Sequence, residues 1–167
     1  VDFMQAKVER DGKTVEFVDL PGIYDLDGFT EDEKVVQDFL EQYSFDLIVC
    51  IINASQIDRQ ILLPLQLKKL GIPSLVALNM ADEVKRFGVK INTQKLSQYL
   101  EMPVYTISAK YGAGCSLAID GIWKTVNDIS DSYKVTELVE FCRENKISDA
   151  EIQESLDQGI EMPPENL

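Results

Sequence analysis

The sequence predicts an α/β fold built around a mainly parallel sheet. Apolar runs of strand length, at 46–53, 74–78 and 104–108, alternate with segments whose apolar residues keep helical spacing. Ahead of them, 3–10 and 14–20 alternate like strands around Asp11-Gly12, a dipeptide that favours the positive φ angles of a tight hairpin. We therefore expect an antiparallel hairpin, followed by strands that are joined through right-handed helical crossovers.

The helices are indicated by end signals as well as by periodicity. The capping box at 30–33, Thr-Glu-Asp-Glu, predicts a helix start just before an apolar face that includes Val36 and Phe39. Residues 57–70 keep helical spacing until Gly71, although Pro64 should kink that helix. A short polar helical stretch is expected after residue 78, and further helices are expected at 93–100 and 116–127.

The character of the chain changes after Ile129. Two short helical patterns follow, one at 135–142 and one that begins at the capping box Ser-Asp-Ala-Glu of 148–151. We therefore expect a domain over residues 1–129 and a helical appendage with a linker over 130–167, frayed at its Pro-containing end, 162–165. The first residues carry neither an initiator Met nor a signal-peptide core, which is typical of the interior of a longer protein.

Composition excludes several classes of function. The chain has 16 Lys and Arg against 29 Asp and Glu, a formal charge of -13, so we expect no nucleic-acid partner. It has no His, and Cys50, Cys115 and Cys142 are too far apart for a paired metal spacing, which favours buried thiols in a reducing compartment. The apolar runs are well short of the roughly 20 residues that cross a bilayer.

Three short motifs stand where strands are predicted to end. They are Asp19-Leu20-Pro21-Gly22, Asn79-Met80-Ala81-Asp82 and Ser108-Ala109-Lys110. In an open α/β sheet, ligands bind outside the carboxyl ends of the strands. Each motif alone also has a structural interpretation, as a Pro-Gly turn, a helix cap or a loop hydroxyl. Their occurrence together, in this order, favours a binding site.

The first motif suits a nucleoside triphosphate with its bound Mg²⁺ ion. The carboxylate of Asp19 can hold a water of Mg²⁺, an ion that prefers hard oxygen ligands. Gly22 lets a backbone N–H approach a γ-phosphate without interference from a Cβ atom.

The other two motifs suit guanine. Asp82 can accept hydrogen bonds from N1–H and the exocyclic amine of guanine, whereas adenine would leave a buried carboxylate unpaired. Asn79 would brace the loop, the N–H of Ala109 could donate to guanine O6, and Lys110 could lie against the base.

The sequence around these motifs resembles that of the cytosolic GTPase domain of the ferrous iron transport protein B family. The resemblance lies in DLPGIY at 19–24, NASQIDR at 53–59, VALNMAD at 76–82 and SAKYGAG at 108–114, and covers roughly residues 1 to 128. It implies a Ras-like three-layer P-loop NTPase fold, GTP or GDP with Mg²⁺ as cofactors, and a membrane permease portion of the same protein as partner. It also implies the cytoplasmic face of a bacterial or archaeal inner membrane and a small helical domain after residue 129.

The sequence departs from the pattern of the family in one large respect. It contains no G-x-x-x-x-G-K-[ST], so we expect that the first strand and the phosphate loop are absent and that the chain begins just after the first switch. The missing strand would lie between the strands that end at Asp19 and Asn53, and its loss would leave an apolar gap. The chain alone should be unstable or borrow a strand. Either the missing segment exists in the parent protein, or the chain pairs with another copy or fills the gap differently.

A second feature concerns the rate of hydrolysis. GTPases that orient the attacking water with a glutamine carry it directly after the switch glycine, whereas this position holds Ile23. An isoleucine cannot position water. The resemblance implies an apolar residue here throughout the family and slow intrinsic hydrolysis, and no catalytic base is named.

Two functional hypotheses follow. The first is a guanine-nucleotide-binding, slowly hydrolysing regulatory domain of a ferrous iron transporter, whose segment 19–29 changes order with nucleotide state. The alternative is a non-catalytic G-like interaction module that has lost phosphate binding. A soluble GTPase of ribosome assembly fits poorly, because a charge of -13 would repel rRNA. A homo-oligomer remains compatible with either hypothesis.

Overall fold

A computed structural model describes residues 3–129 and 147–161 of the chain. The strands are β1 (Met4–Arg10), β2 (Lys13–Asp19), β3 (Ile48–Asn53), β4 (Ser74–Asn79), β5 (Lys90–Ile91), β6 (Val104–Thr106) and β7 (Ile160–Glu161). The helices are α1 (Glu31–Gln42), α2 (Ile57–Gln60), α3 (Leu62–Leu70), α4 (Ala81–Arg86), α5 (Thr93–Leu100), α6 (Cys115–Asp128) and, after the undescribed residues, α7 (Asp149–Gly159). The helical pattern expected at 135–142 and the frayed end expected at 162–165 lie outside the described residues.

The predicted hairpin is confirmed. β1 and β2 pair antiparallel, with Arg10 opposite Lys13, and the two turn residues both have positive φ, 52° at Asp11 and 75° at Gly12. The tip of the hairpin rests on α6, because Arg10 Nη1 donates to Asp120 Oδ1 at 2.7 Å and Lys13 Nζ donates to Asn127 Oδ1 at 2.8 Å. The hairpin is thus fixed to the body of the domain.

The predicted parallel sheet is also confirmed, in the order β3-β4-β6. β4 is central and buried along almost its whole length, which is why its sequence is a continuous apolar run. Its two faces pack differently. Val76 and Leu78 join the main core with residues of α1, α3 and α5, whereas Ala77 packs towards Ala118 of α6. Helices therefore cover both faces, and the domain has three layers.

Within the described residues, the hairpin does not pair with the parallel sheet. No ladder joins β2 to β3 among the described residues, and β3 pairs there with β4 alone. Ile51, which lies beside Ala77 in the register, is 64% exposed although it sits in the middle of an apolar strand. This opening, between the strands that end at Asp19 and Asn53, is the gap that the sequence predicts.

The helix end signals act as the sequence predicts. Thr30 caps α1 in a complete capping box, with Glu33 N 3.2 Å from Thr30 Oγ1 and Thr30 N 2.9 Å from Glu33 Oε2. Pro64 has no N–H to donate to the carbonyl of Gln60, and the chain divides there into α2 and α3, with Ile61 between them. The 3₁₀ turn Ala54–Gln56 connects β3 to α2.

The described part of the appendage packs against the domain. A capping box of Ser148 and Glu151 begins α7, as predicted, and Leu156 of this helix lies in the main core. Lys69 Nζ lies 3.1 Å from Glu151 Oε1. The sequence did not predict that β7 pairs antiparallel with β5, the strand that follows α4 along the chain. The domain boundary at 129/130 stays a prediction.

Within the ranges 3–129 and 147–161, no helix combines the length and apolar character needed to span a membrane.

Candidate functional site

The carboxyl ends of β4 and β6 carry two loops that are bonded to each other. Asn79, the last residue of β4, accepts hydrogen bonds at Oδ1 from the N–H groups of Met80, at 2.9 Å, and Ala109, at 3.0 Å. Met80 has a φ of 61°, in the left-handed region that residues with a Cβ atom rarely occupy. Such strained backbone clusters at ligand sites, and here it turns the chain directly into α4.

The loop after β6 is folded back on its own strand. The N–H of Ser108, a residue only 6% exposed, donates to the carbonyl of Ala113 at 2.8 Å. Gly114 closes the loop with a φ of 75°, and a Cβ atom there would lie 2.2 Å from the carbonyl oxygen of Thr106. Only glycine allows this closure, which holds Ala109 beside Asn79.

The charged residues of these loops differ in their burial and contacts. Asp82 is half-buried in the first turn of α4, and its carboxylate has no hydrogen-bond or ion-pair partner within the part of the chain that the structure describes. Lys110 is exposed, with Nζ 5.3 Å from the ring centre of Tyr111. The N–H of Ala109 is engaged with Asn79, so donation to a ligand would require that this N–H be shared.

The motif at the end of β2 is not hydrogen-bonded to these two loops within the described residues. Asp19 is exposed, Pro21 is half-buried, and no hydrogen bond within the described ranges joins them to Asn79 or Ser108. A Cβ atom at Gly22 would meet nothing within 4 Å, so the space beside it is open. The structure therefore brings the motif at Asn79 and the motif at Ser108 together, through the bond between Ala109 and Asn79.

Sequence reasoning missed two buried glutamines that hold the next part of this loop. Gln37 of α1 and Gln66 of α3 are each 7% exposed, and both bond the backbone of Leu26, which is 1% exposed. A signal was present at Gln66, which stands between Leu65 and Leu67 in an apolar stretch, but not at Gln37, which is followed by Asp38. A polar residue in such a stretch is buried only when it finds hydrogen-bond partners.

The cysteines and acidic residues offer no further chemistry in the described residues. Burial raises the pKa of the Cys50 thiol to about 12, which makes it unreactive. No group of three or more His, Cys, Asp or Glu residues in the described ranges is arranged to hold a metal ion. Two grooves that share Pro103 and Tyr105 lie near the start of β6, away from the carboxyl ends of the strands.

Comparisons with known proteins show similarity in both sequence and fold. A family model described as ferrous iron transport protein B matches residues 1–122. The Fe(2+) transporter FeoB of Synechocystis sp. is 48% identical over 99% of the chain, which spans 27% of that relative. The cytosolic domain of L. pneumophila FeoB, 24% identical, has the same fold with a TM-score of 0.79 over 95% of this chain and 84% of that one.

A third comparison extends along the domain. The mGMPPNP-bound NFeoB from S. thermophilus is 33% identical, with a TM-score of 0.65, and the match covers 74% of this chain and 48% of that one. The agreement of the family model, the Synechocystis relative and the G-domain fold leads to one conclusion: the chain belongs to the ferrous iron transport protein B family, as part of its N-terminal G domain.

Proposed function

We propose that this chain forms the guanine-recognising part of a GTP-binding regulatory domain in a ferrous iron transporter. The observation that carries the proposal is the bonded pair of loops at Asn79 and Ala109, beside the half-buried carboxylate of Asp82. The relative from S. thermophilus was solved with mGMPPNP bound, which supports a guanine nucleotide as the ligand.

Base selectivity comes from Asp82. Its carboxylate accepts the N1–H and the exocyclic amine of guanine, a donor pair that adenine does not present. Asn79 keeps the loops of Met80 and Ser108 at a fixed separation, and the N–H of Ala109 is shared between Asn79 Oδ1 and guanine O6. The stem of Lys110 covers the face of the base.

The phosphates lie on the side of β2. The carboxylate of Asp19 is exposed at a strand end and is a hard oxygen donor, so it fits a Mg²⁺ ion held through a water. The ion would neutralise phosphate charge. Pro21 sets the turn, and the open space beside Gly22 admits a phosphate oxygen to the backbone N–H of that residue.

The phosphate loop itself must come from outside these 167 residues. Within the described residues β3 has one edge without a partner strand, and the exposed Ile51 lies on the α6 side of the sheet. A parallel strand in the gap between β2 and β3, followed by a helix over Ile51, would complete the sheet and bring a phosphate loop between Asp19 and Asn53. Pairing of two copies through the same edge is the competing way to fill the gap, and sedimentation would detect the dimer.

Hydrolysis at this site is slow. Ile23 packs against the main core and offers no group that could orient a water molecule for attack on the γ-phosphate. The domain therefore acts as a regulator, in which the segment 19–29 responds to the nucleotide and signals to the membrane permease portion of the same protein, at the cytoplasmic face of the membrane.

The test is a titration of fluorescent GDP and ADP analogues into the full-length protein and into the 167-residue chain. We expect guanine-selective binding by the full-length protein. Asp82→Ala should weaken binding by a few kcal/mol, because it removes two charge-assisted hydrogen bonds that contribute about 1.5–3 kcal/mol each. Asp82→Asn is the gentler change, and Asp38→Ala, on the exposed face of α1, is the matched control.

The outcomes separate the hypotheses. Binding to full-length protein that Asp82→Ala leaves unchanged would contradict the assignment of the base site. No binding to the full-length protein would favour a non-catalytic interaction module. Saturable binding to the isolated chain would mean that the base site forms without the phosphate loop.

A further inference from the structure

The segment between β2 and α1 is held in two distinct ways along its length. Residues 25–28 are bonded to two buried glutamines, and we call this segment with Gln37 and Gln66 the clasp. Residues 20–24, which we call the arm, are joined to neighbouring helices only by side-chain contacts within the described residues. The difference divides the switch segment at Tyr24.

The clasp satisfies both backbone groups of a fully buried residue. The N–H of Leu26 donates to Gln66 Oε1 at 2.8 Å, and its carbonyl accepts from Gln37 Nε2 at 2.5 Å. Gln37 Nε2 also donates to the carbonyl of Gly28 at 3.2 Å. Leu26 is 1% exposed, so release of this segment would expose an apolar side chain. It would also leave the buried side-chain amides of Gln37 and Gln66 without their hydrogen-bond partners.

Asp25 closes the clasp. Its Oδ1 accepts from Gln66 Nε2 at 2.6 Å and from the N–H of Asp27 at 2.8 Å. Gln66 thus holds the loop by both atoms of its amide, which also fixes the orientation of that amide. Because Gln37 is in α1 and Gln66 is in α3, the clasp ties the loop to two helices of the core.

The arm ends at Tyr24 in an exposed cation–π contact, in contrast to the buried hydrogen bonds of the clasp. The ring of Tyr24 is 43% exposed, and the guanidinium carbon of Arg59, an exposed residue of α2, lies 4.4 Å from the ring centre. A cation–π contact at such an exposed site is weak and can open without burying or exposing a polar group. Arg59 is therefore suited to hold the arm reversibly.

We propose that nucleotide-dependent movement of the switch segment is confined to residues 20–24, with Gln37 and Gln66 as positioning residues that keep 25–28 fixed and Arg59 as the releasable hold on Tyr24. The proposal rests on the proposed function, because it names the moving part of the same site. The nucleotide-dependent change that the sequence predicts for residues 19–29 is thereby restricted to the part of the segment that contains Gly22.

The first test uses hydrogen–deuterium exchange, resolved to single amides, on the full-length protein without nucleotide. We expect the N–H of Leu26 to exchange at least about fivefold more slowly than that of Tyr24, as a buried hydrogen bond requires. Gln66→Leu should remove this difference. Arg59→Ala should speed exchange in the arm and leave Leu26 unchanged, and Gln94→Leu, an exposed glutamine of α5, is the matched control.

Equal exchange at Leu26 and Tyr24 in the wild-type protein would overturn the proposal. So would an equal loss of protection at Leu26 in Arg59→Ala. Thermal unfolding of each variant shows whether Gln66→Leu has unfolded the domain, and in that event Arg59→Ala, at an exposed position, still decides the question.

The second test compares the full-length protein with GDP and with a non-hydrolysable GTP analogue. Exchange should differ between the two states at 20–24 and be the same at 26–28. A difference of equal size at 26–28 would contradict a fixed clasp. Failure of the protein to bind either nucleotide would instead refute the proposed function, while the exchange pattern of the unliganded protein would still decide whether the clasp exists.

Discussion

The side chain of Asn79 is hydrogen-bonded to the backbone of Ala109, with 3.0 Å between Oδ1 and N, although the two residues belong to different loops. The same oxygen accepts from Met80 at 2.9 Å. One side-chain atom thus sets the separation of the loops that follow β4 and β6. Guanine recognition as proposed depends on that separation, because Asp82 follows one loop and Lys110 lies in the other.

Asn79→Ala should therefore weaken both stability and nucleotide binding. Loss of the acceptor leaves two backbone N–H groups without their partner, at an expected cost of about 1–3 kcal/mol in the free energy of unfolding. Urea denaturation measures this cost. The control is Asn127→Ala, whose exposed bond to Lys13 should contribute less than about 1 kcal/mol. Equal effects of the two substitutions would show that the loop bridge has no special role.

Thr30→Ala should lower stability without changing base selectivity. The substitution removes the side-chain acceptor for Glu33 N in the capping box of α1, at a cost of about 1 kcal/mol. Chemical denaturation measures the loss, and Thr30→Ser, which keeps the hydroxyl, should restore most of it. A changed preference between GDP and ADP analogues in Thr30→Ala would instead make the start of α1 part of the site.

Local signals were sufficient to predict the hairpin, the parallel sheet and the strand-end motifs. Asp11-Gly12 determines its turn through backbone preference, and an apolar run such as that of β4 is long enough for one buried strand. Because parallel strands end at the same edge of a sheet, Asn79 and Ser108 could be placed together without coordinates.

Pairings between distant residues could not be predicted in this way. β5 and β7 have two residues each and are distant in sequence, so no local pattern marks either strand. Burial of Gln66 could be inferred from its apolar neighbours, but burial of Gln37 could not, and their shared partner, Leu26, depends on the tertiary arrangement of α1 and α3. The engagement of the Ala109 N–H by Asn79 was equally out of reach, since it requires the exact spacing of two loops.

Acid should loosen the attachment of α7. The N–H of Ser148 and then the ammonium of Lys69 hold the pKa of Glu151 below its ordinary value of 4.5. Since the ionised form is favoured in the folded state, the contribution of Glu151 to stability is present above about pH 4.5 and is lost as pH falls through the lowered pKa. The melting temperatures of the wild type and Glu151→Gln should differ at pH 7 and converge once the pH has fallen below the lowered pKa of Glu151.

The exposed residue Glu41 provides a control, because Glu41→Gln should give no such convergence. A constant difference between the wild type and Glu151→Gln from pH 7 to pH 3 would contradict a role for the charge of Glu151.

Two serines near α5 should respond in opposite directions to the same substitution. The hydroxyl of Ser155 is fully buried in α7 and has no hydrogen-bond partner among the described residues. An unsatisfied buried hydroxyl costs about 1–3 kcal/mol, and its removal leaves only a small void, so Ser155→Ala should raise the free energy of unfolding by up to about 1 kcal/mol. Ser97 Oγ, by contrast, donates to the carbonyl of Met102 at 2.7 Å, and Ser97→Ala should lower stability by about 1 kcal/mol. Urea denaturation of both variants measures the two changes, and destabilisation by Ser155→Ala equal to that by Ser97→Ala would show that the Ser155 hydroxyl is satisfied in the folded protein.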